Sequence, residues 1–263
     1  MIKIRASSLG ELFDCPARWE SKYILNMNMP TNTKALLGTA IHASTAVYDQ
    51  SQLDKSGITI EDSKAAAVDA LFNPKEDVLW DDETAKDLEP IALSLHSKYC
   101  NFIAPKFEYV AVEVKCDSLI IVDLGIELTG TTDRVYVNSI GEHGIGDVKS
   151  GKAAVGADGV VATKGHGYQM GVYELLAEQG SGLAIDAPAQ IMALTTAKTE
   201  KSQRYGIGEI TGAREILLGD EHQTGVLQEA SRLIKSGVFI GNPKSMMCHK
   251  NYCPKYQVCR FRK

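Results

Sequence analysis

The stretch GIGDVKSGKAA, Gly144 to Ala154, admits two readings, and each leads to a different fold. In one, Gly146 to Lys152 supplies Gly-x-x-x-x-Gly-Lys, most of a phosphate-cradling P-loop. In the other, Asp147-Val148-Lys149 places an acid and a lysine two residues apart on a short strand. The first describes a nucleotide hydrolase and the second a metal-dependent nuclease.

A P-loop requires a strand, a glycine-rich loop and a helix whose N-terminus holds the phosphate. The residue after its lysine must be Ser or Thr, because that hydroxyl binds Mg²⁺. Here that residue is Ala153. The following AAVGADGVVATKGHG is rich in glycine and shows no helical period. No second strand ends in a Walker-B acid. The P-loop reading fails on chemistry.

The acid–lysine reading fares better. Alternation along a strand puts Asp147 and Lys149 on one face, about 7 Å apart, and turns Val148 into the core. A carboxylate can hold Mg²⁺, while an ammonium can orient water or stabilise charge on phosphate. A lone Asp-x-Lys is weak, so partners matter. Asp133 lies fourteen residues earlier, on a strand joined to this one by the turn near Gly141. Its alternative is a local pair with Arg134 or a bulge. His42 sits in a helical stretch, where a satisfied core histidine is the competing reading. Gln169 and Tyr173, at i and i+4, share one helix face, for packing or for contact with the site.

Composition bounds the rest. The 263 residues fit one large domain or one domain with an inserted lobe, and 44% hydrophobic content can build a core. Net charge is −5, which argues against broad nucleic-acid coating but permits a local basic track. His249 to Lys263 carries five Lys or Arg and no acid, a candidate track or a solvated basic end. The N-terminal MIKIRASSLGELFDCP has no apolar segment of signal-peptide type, and no run reaches the ~18 apolar residues of a membrane span. The expectation is a cytosolic protein. In that setting the six cysteines point to metal or catalysis rather than disulfides. Cys100 and Cys116 read as buried packing residues. Cys248, Cys253 and Cys259 cluster, with Cys15 far upstream.

Along the chain, Ser7 or Ser8 is expected to cap a short helix that Pro16 interrupts, and Lys34 to Gln50 reads as an amphipathic helix. Thr59 to Phe102 reads as helical with a break at Asn73-Pro74. From Phe107 the pattern turns strand-like through FEYVAVEVKC, SLIIVDL, IELTGTTDRVYVN and HGIGDVKS. HGYQMGVYELLAEQG is a helix closed by Gly180. AQIMALTTAK and QRYGIGEI are strands, and EHQTGVLQEASRLIKSG is a helix ending at Gly237. The expected fold is α/β, a mixed central sheet flanked by helices. Its divisions are a helical lobe at 51–104, a core at 105–240, and a Cys-rich region at 241–263 together with Cys15.

The ordered set SSLGELFDCPARW, LLGTAIHAS, GTTDRV, GDVKSGK, YQMGVY and CHKNYCPKYQVC resembles the PD-(D/E)XK nuclease superfamily. The likeness is to its RecB-like branch, which includes the CRISPR-associated Cas-four exonucleases, the AddB nuclease domain and phage exonucleases. The motifs span residues 7 to 259. The resemblance implies a restriction-endonuclease-like core. It implies that His42, Asp133 and Asp147 hold Mg²⁺ or Mn²⁺ with the Val148 carbonyl, and that Lys149 is the catalytic lysine. Gln169 and Tyr173 would contact DNA or support the site, and Glu113 is a looser candidate for a further acid. Lys152, Lys164 and His166 would contact phosphates. It further implies that Cys15, Cys248, Cys253 and Cys259 ligate a [4Fe–4S] cluster, with zinc as the competing metal. The C-x₄-C-x₅-C spacing departs from the C-x₂-C-x₅-C of many members. The activity so implied is exonucleolytic, 5′→3′ on single-stranded or free-ended DNA. Its setting would be recombination, end resection or CRISPR-type processing, with a protein partner in either pathway. A non-catalytic DNA-end-binding or scaffold subunit is the alternative.

Overall fold

The computed structural model describes residues 1–80 and 82–262, so Lys263 of the basic tail lies outside the described residues. In chain order the elements are β1 (Ile2–Arg5), α1 (Leu9–Asp14), α2 (Pro16–Tyr23), β2 (Thr31–Asn32), α3 (Thr33–Asp54), α4 (Ile60–Phe72), β3 (Val78–Leu79), α5 (Ala85–Lys98), β4 (Glu108–Ile121), β5 (Ile126–Val137), β6 (His143–Gly151), α6 (Gly167–Ser181), β7 (Ala189–Thr195), β8 (Tyr205–Ile210), α7 (Ala213–Leu218) and α8 (Val226–Ser236). This is the mixed α/β architecture expected from the sequence.

Short-range chemistry sets the boundaries. Asn32 caps α3 by accepting from the Ala35 N–H, and Thr59 with Asp62 forms a capping box on α4. Gly182 and Gly237 close α6 and α8 in the left-handed region, which only glycine adopts cheaply. The close of α6 therefore falls two residues beyond Gly180. Ser8 makes no side-chain cap bond; its hydroxyl donates instead to the Arg5 carbonyl. Pro16 starts α2 at its first turn, where a missing N–H costs nothing. The two strand-like runs after Phe107 are one long strand, β4, with irregular register at Tyr109/Ala111 and Cys116/Leu119.

The main sheet runs β1-β5-β6-β7-β8, with β4 also on β5. β5 thus has three partners but only two edges. β4 pairs with it from Ile126 to Val137 and occupies one edge throughout. The other edge is shared. β1 runs parallel over Ile126–Thr129, and β6 runs antiparallel over Arg134–Val137. Residues 130–133 of β5 pair with neither, leaving a notch in the sheet between the end of β1 and the start of β6.

Two apolar clusters cover the two faces. Ile4, Leu128, Val135, Ile145 and Ile191 pack with α1, α6 and α8 on one side. Val148, Met192 and Leu194 pack with α3, α4 and α5 on the other. The stretch expected as a helical lobe therefore forms a layer over one face of the sheet. No described helix is long and apolar enough to cross a membrane.

Inside that layer His96 is fully buried, its Nε2 2.9 Å from the Ser63 hydroxyl and 3.2 Å from the Ile60 carbonyl. Burial pushes its pKa down from 6.5 to about 4. Between those values the unfolded chain binds the proton and the folded chain does not. The stability from a neutral His96 is thus complete above pH 6.5 and lost as pH falls towards 4, a total of roughly 3 kcal/mol. Urea unfolding at pH 7 and pH 4.5 should show this loss, and a His96→Gln variant should lack the His96-dependent part.

Candidate active site

The notch in the sheet is where the sequence candidates meet. The β5–β6 ladder ends at Arg134 opposite Gly146. Beyond it, β6 continues paired only with β7, from Gly146 to Gly151. The Val148 N–H, freed from β5, donates to Asp133 Oδ2 at 2.9 Å. The Asp133 carboxylate therefore replaces a backbone acceptor at the point where two strands part. Val148 itself is buried in the second cluster, as alternation required, and Asp147 and Lys149 project the other way.

His42 reaches the same point from α3. Its Nδ1 lies 3.1 Å from Asp133 Oδ2, and its side chain remains one-third exposed. Gly38, one turn earlier, approaches the Ser150 hydroxyl at the end of β6, so α3 passes close over the strand. Gln169 Nε2 donates to the Tyr173 hydroxyl at 3.0 Å on the solvent-side turn of α6. The Tyr173 ring lies over Gly130, where a Cβ would come within 3.1 Å of it. The absence of a side chain at 130 lets this ring reach the notch.

Charge is concentrated here. Asp147 is 1% exposed and its Oδ2 lies 2.5 Å from Lys149 Nζ. That oxygen is buried, and the ammonium is its one close partner among the described residues. Burial pushes the Asp147 carboxyl up to about 6 against the pull of Lys149, and nearby Asp133 adds to the rise. Burial also works to raise Asp133, but His42, Lys149 and Arg134 outweigh it and hold that carboxyl low. His42 is driven down by burial, and Asp133 with Asp147 together raise it, for a net rise. Two neighbouring carboxylates with opposite shifts, beside an imidazole, form a donor set that fits a divalent cation. Among the described residues no three His, Cys, Asp or Glu side chains already stand in metal-holding geometry. Lys149 pairs with Asp147 in this arrangement.

Sequence reasoning missed the support beneath Asp133. Arg134 does not pair with the Asp133 carboxylate; it donates to that residue's backbone carbonyl at 2.7 Å. Its Nε donates to Asp49 Oδ2 at 2.6 Å, and Nη2 to the Thr45 hydroxyl at 3.3 Å. The Tyr99 hydroxyl donates to the same Asp49 oxygen at 2.6 Å. Arg134 and Asp49 are essentially unexposed. The signal was present: Asp49 is seven residues after His42, hence on the same face of α3 two turns on. Glu113 stands opposite Asp133 in the β4–β5 register, with φ of 53° inside a strand. Its carboxylate lies 3.3 Å from Arg134 Nη1, and burial followed by Asp133 raises its pKa. A left-handed glutamate costs about 1–3 kcal/mol, and such strain collects at functional sites. Lys152 and Lys164 are exposed on the loop leading to α6; His166, just before that helix, is lowered by burial and Lys149.

A second convergence involves the cysteines. Cys15, Cys248, Cys253 and Cys259 line one pocket at the junction of α1, α2 and the C-terminal coil, together with Arg18, Lys255 and Arg262. The Asn242 N–H points at Cys15 Sγ, 3.4 Å away. Burial raises the Cys253 thiol, and Cys15 and Cys259 add to the rise, so these sulfurs feel one another. All are free thiols, and the cationic rim suits a set of thiolates. Cys100 and Cys116 are buried elsewhere as packing residues.

The family model for the PD-(D/E)XK nuclease superfamily matches residues 4–260. No curated protein matches the chain. A crystal structure from Eubacterium rectale, provisionally described as an exonuclease, superposes with TM-score 0.59 at 15% identity, over 99% of this chain and 89% of that one. At that identity the likeness concerns the fold. The crystal structure of SSO0001 aligns at TM-score 0.37 and 12% identity, over 96% and 97% of the two chains, too distant to carry an argument.

Removing Asp49 leaves a buried guanidinium unpaired. Asp49→Ala should lower stability by about 3–5 kcal/mol in urea unfolding. A loss under 1 kcal/mol would show that Arg134 does not depend on that carboxylate.

Proposed function

The chain belongs to the PD-(D/E)XK nuclease superfamily, and we propose that within it this protein is a metal-dependent DNA exonuclease of the RecB-like, Cas-four-like type. The observation that carries this is the meeting of Asp133, Asp147, Lys149 and His42 where β5 and β6 part.

Bound Mg²⁺ or Mn²⁺ would supply Lewis-acid stabilisation of the phosphate and lower the pKa of an attacking water. His42, Asp133 and Asp147 would hold the ion, with the Val148 carbonyl beside them. To do so Asp147 would part from Lys149, leaving the ammonium free. Lys149 would orient the attacking water or stabilise charge building on phosphate. His42 steadies Asp133, and the Val148 N–H fixes one oxygen of that carboxylate. The Gln169–Tyr173 pair closes the α6 side and meets the strand. Lys152, Lys164 and His166 follow β6 and are suited to phosphates leaving the site. Glu113, aimed at the same cleft, is a further acid available there.

The four-cysteine pocket is read as the seat of a [4Fe–4S] cluster joining the two ends of the chain, with zinc the alternative. Its role would be structural. Closing so long a loop would be worth roughly 4–5 kcal/mol by analogy with a disulfide. Digestion in the 5′→3′ direction, and a place in recombination, end resection or CRISPR-type processing beside a partner protein, complete the proposal.

Asp133→Asn, Asp147→Asn and Lys149→Ala should each reduce Mn²⁺-dependent digestion of end-labelled DNA by about 10²-fold or more while leaving circular dichroism unchanged. Cleavage surviving all three would remove the site. Protein purified without oxygen should carry about four iron and four sulfide per chain. Stoichiometric zinc in their place would overturn the cluster.

A further inference from the structure

Ile4 is buried in the core beneath α6, so its neighbours Lys3 and Arg5 project from the opposite face of β1. They stand about 7 Å apart in a row. Residues paired across a ladder share a face, so Lys3 lies beside Glu127, and Arg5 beside Thr129. On the other edge of β5, Lys115 lies beside Thr131. The same face of β5 continues to Asp133. Arg5 is four residues short of Asp133 along this line, about 13 Å, and Lys3 is six short, about 20 Å.

This row forms the floor of two adjoining grooves. One runs past Lys3, Arg5, Lys115 and Thr131 to Tyr173, with no acid among the described residues that line it. The other shares Lys3 and Arg5, is lined by Lys22, Tyr23, Asn251 and Tyr252, and meets the cysteine pocket at Arg18 and Met247, which line both. Glu76 is the one acid among the described residues on its wall. Lys3 pairs with Glu127 at 3.1 Å, and Lys22 with Glu11 at 2.8 Å. Arg5 is exposed and has no acidic partner among the described residues. In a chain of net charge −5, such a strip is a local exception.

From this arrangement we infer that the two grooves form one track for single-stranded DNA, running from the cysteine pocket over Lys3 and Arg5 to the notch. The inference rests on the nuclease reading for the strand's destination. A single row of cations follows one phosphate backbone. The tyrosine rings and asparagine amides beside it serve unpaired bases, which stack and bond through faces that a duplex hides. Tyr173 stands at the junction of track and notch. Arg5, at the C-terminal tip of β1, is the principal phosphate contact outside the reaction centre.

The test is affinity for fluorescein-labelled oligothymidylate in EDTA, where no cleavage occurs, over a range of salt. Arg5→Glu should weaken binding about tenfold or more and reduce the salt slope by about 1. Arg5→Gln should do the same more mildly. Lys55→Glu is the charge-matched control. It ends α3, about 33 Å along the helix from the groove wall at Asn32, and should bind within about twofold of the parent. Equal affinities for Arg5→Glu and Lys55→Glu would overturn the track. So would unlabelled duplex competing as well as oligothymidylate. Mn²⁺-dependent hydrolysis of thymidine 5′-(p-nitrophenyl phosphate) by the parent protein is measured alongside. Its absence, with the Arg5 effect intact, would strike the nuclease reading and leave the track standing.

Discussion

One backbone hydrogen bond organises this molecule: the Val148 N–H donating to the Asp133 carboxylate instead of to a strand. A buried N–H without a partner is costly, so separating β5 from β6 requires a substitute acceptor. Asp133 is that substitute. The exchange opens the sheet and, at the same time, fixes a carboxylate in the opening. Asp147 and Lys149 follow on the strand that diverges, and His42 and Tyr173 close in from the helices on either face. Fold and site are therefore one construction.

Holding the carboxylates so close carries an electrostatic cost, and the surroundings show how it is met. Asp133 is kept ionised by His42, Lys149 and Arg134, while Asp147 is pushed up by burial. Arg134 is itself neutralised beneath the site by Asp49. Because the guanidinium also grips the Asp133 carbonyl, the α3 layer and the β5 strand are joined just under the Asp133 carboxylate. The buried pair is a positioning device here, as isolated buried pairs seldom add net stability. Glu113, across from Asp133, holds a left-handed backbone, strain of the kind that gathers at functional sites, beside the candidate site.

Local chemistry made much of this legible in the sequence. The alternation at Asp147-Val148-Lys149 foretold which side chains share a face, and Ala153 disposed of the P-loop. The turn at Gly141 foretold that Asp133 and Asp147 lie on neighbouring strands. What escaped was non-local. Nothing in GTTDRV indicates that Arg134 turns away from Asp133 to reach a carboxylate eighty-five residues upstream. Nor does IKIR show that β1 and β6 share one edge of β5, which follows from register over distant segments. Helix ends slipped by a residue or two where several glycines were available, as at Gly180 and Gly182. The grouping of Cys15 with the three C-terminal cysteines came from resemblance, and a shared pocket now gives it a physical setting.

The central claim is that the parting of β5 and β6 creates a divalent-metal site between two carboxylates. Crystals soaked in Mn²⁺ and measured at the manganese edge test it most directly. The account predicts one anomalous peak in the notch, about 2.0–2.2 Å from oxygens of both Asp133 and Asp147, with Lys149 swung off Asp147. A peak elsewhere, or none with the Lys149–Asp147 pair intact, would contradict it.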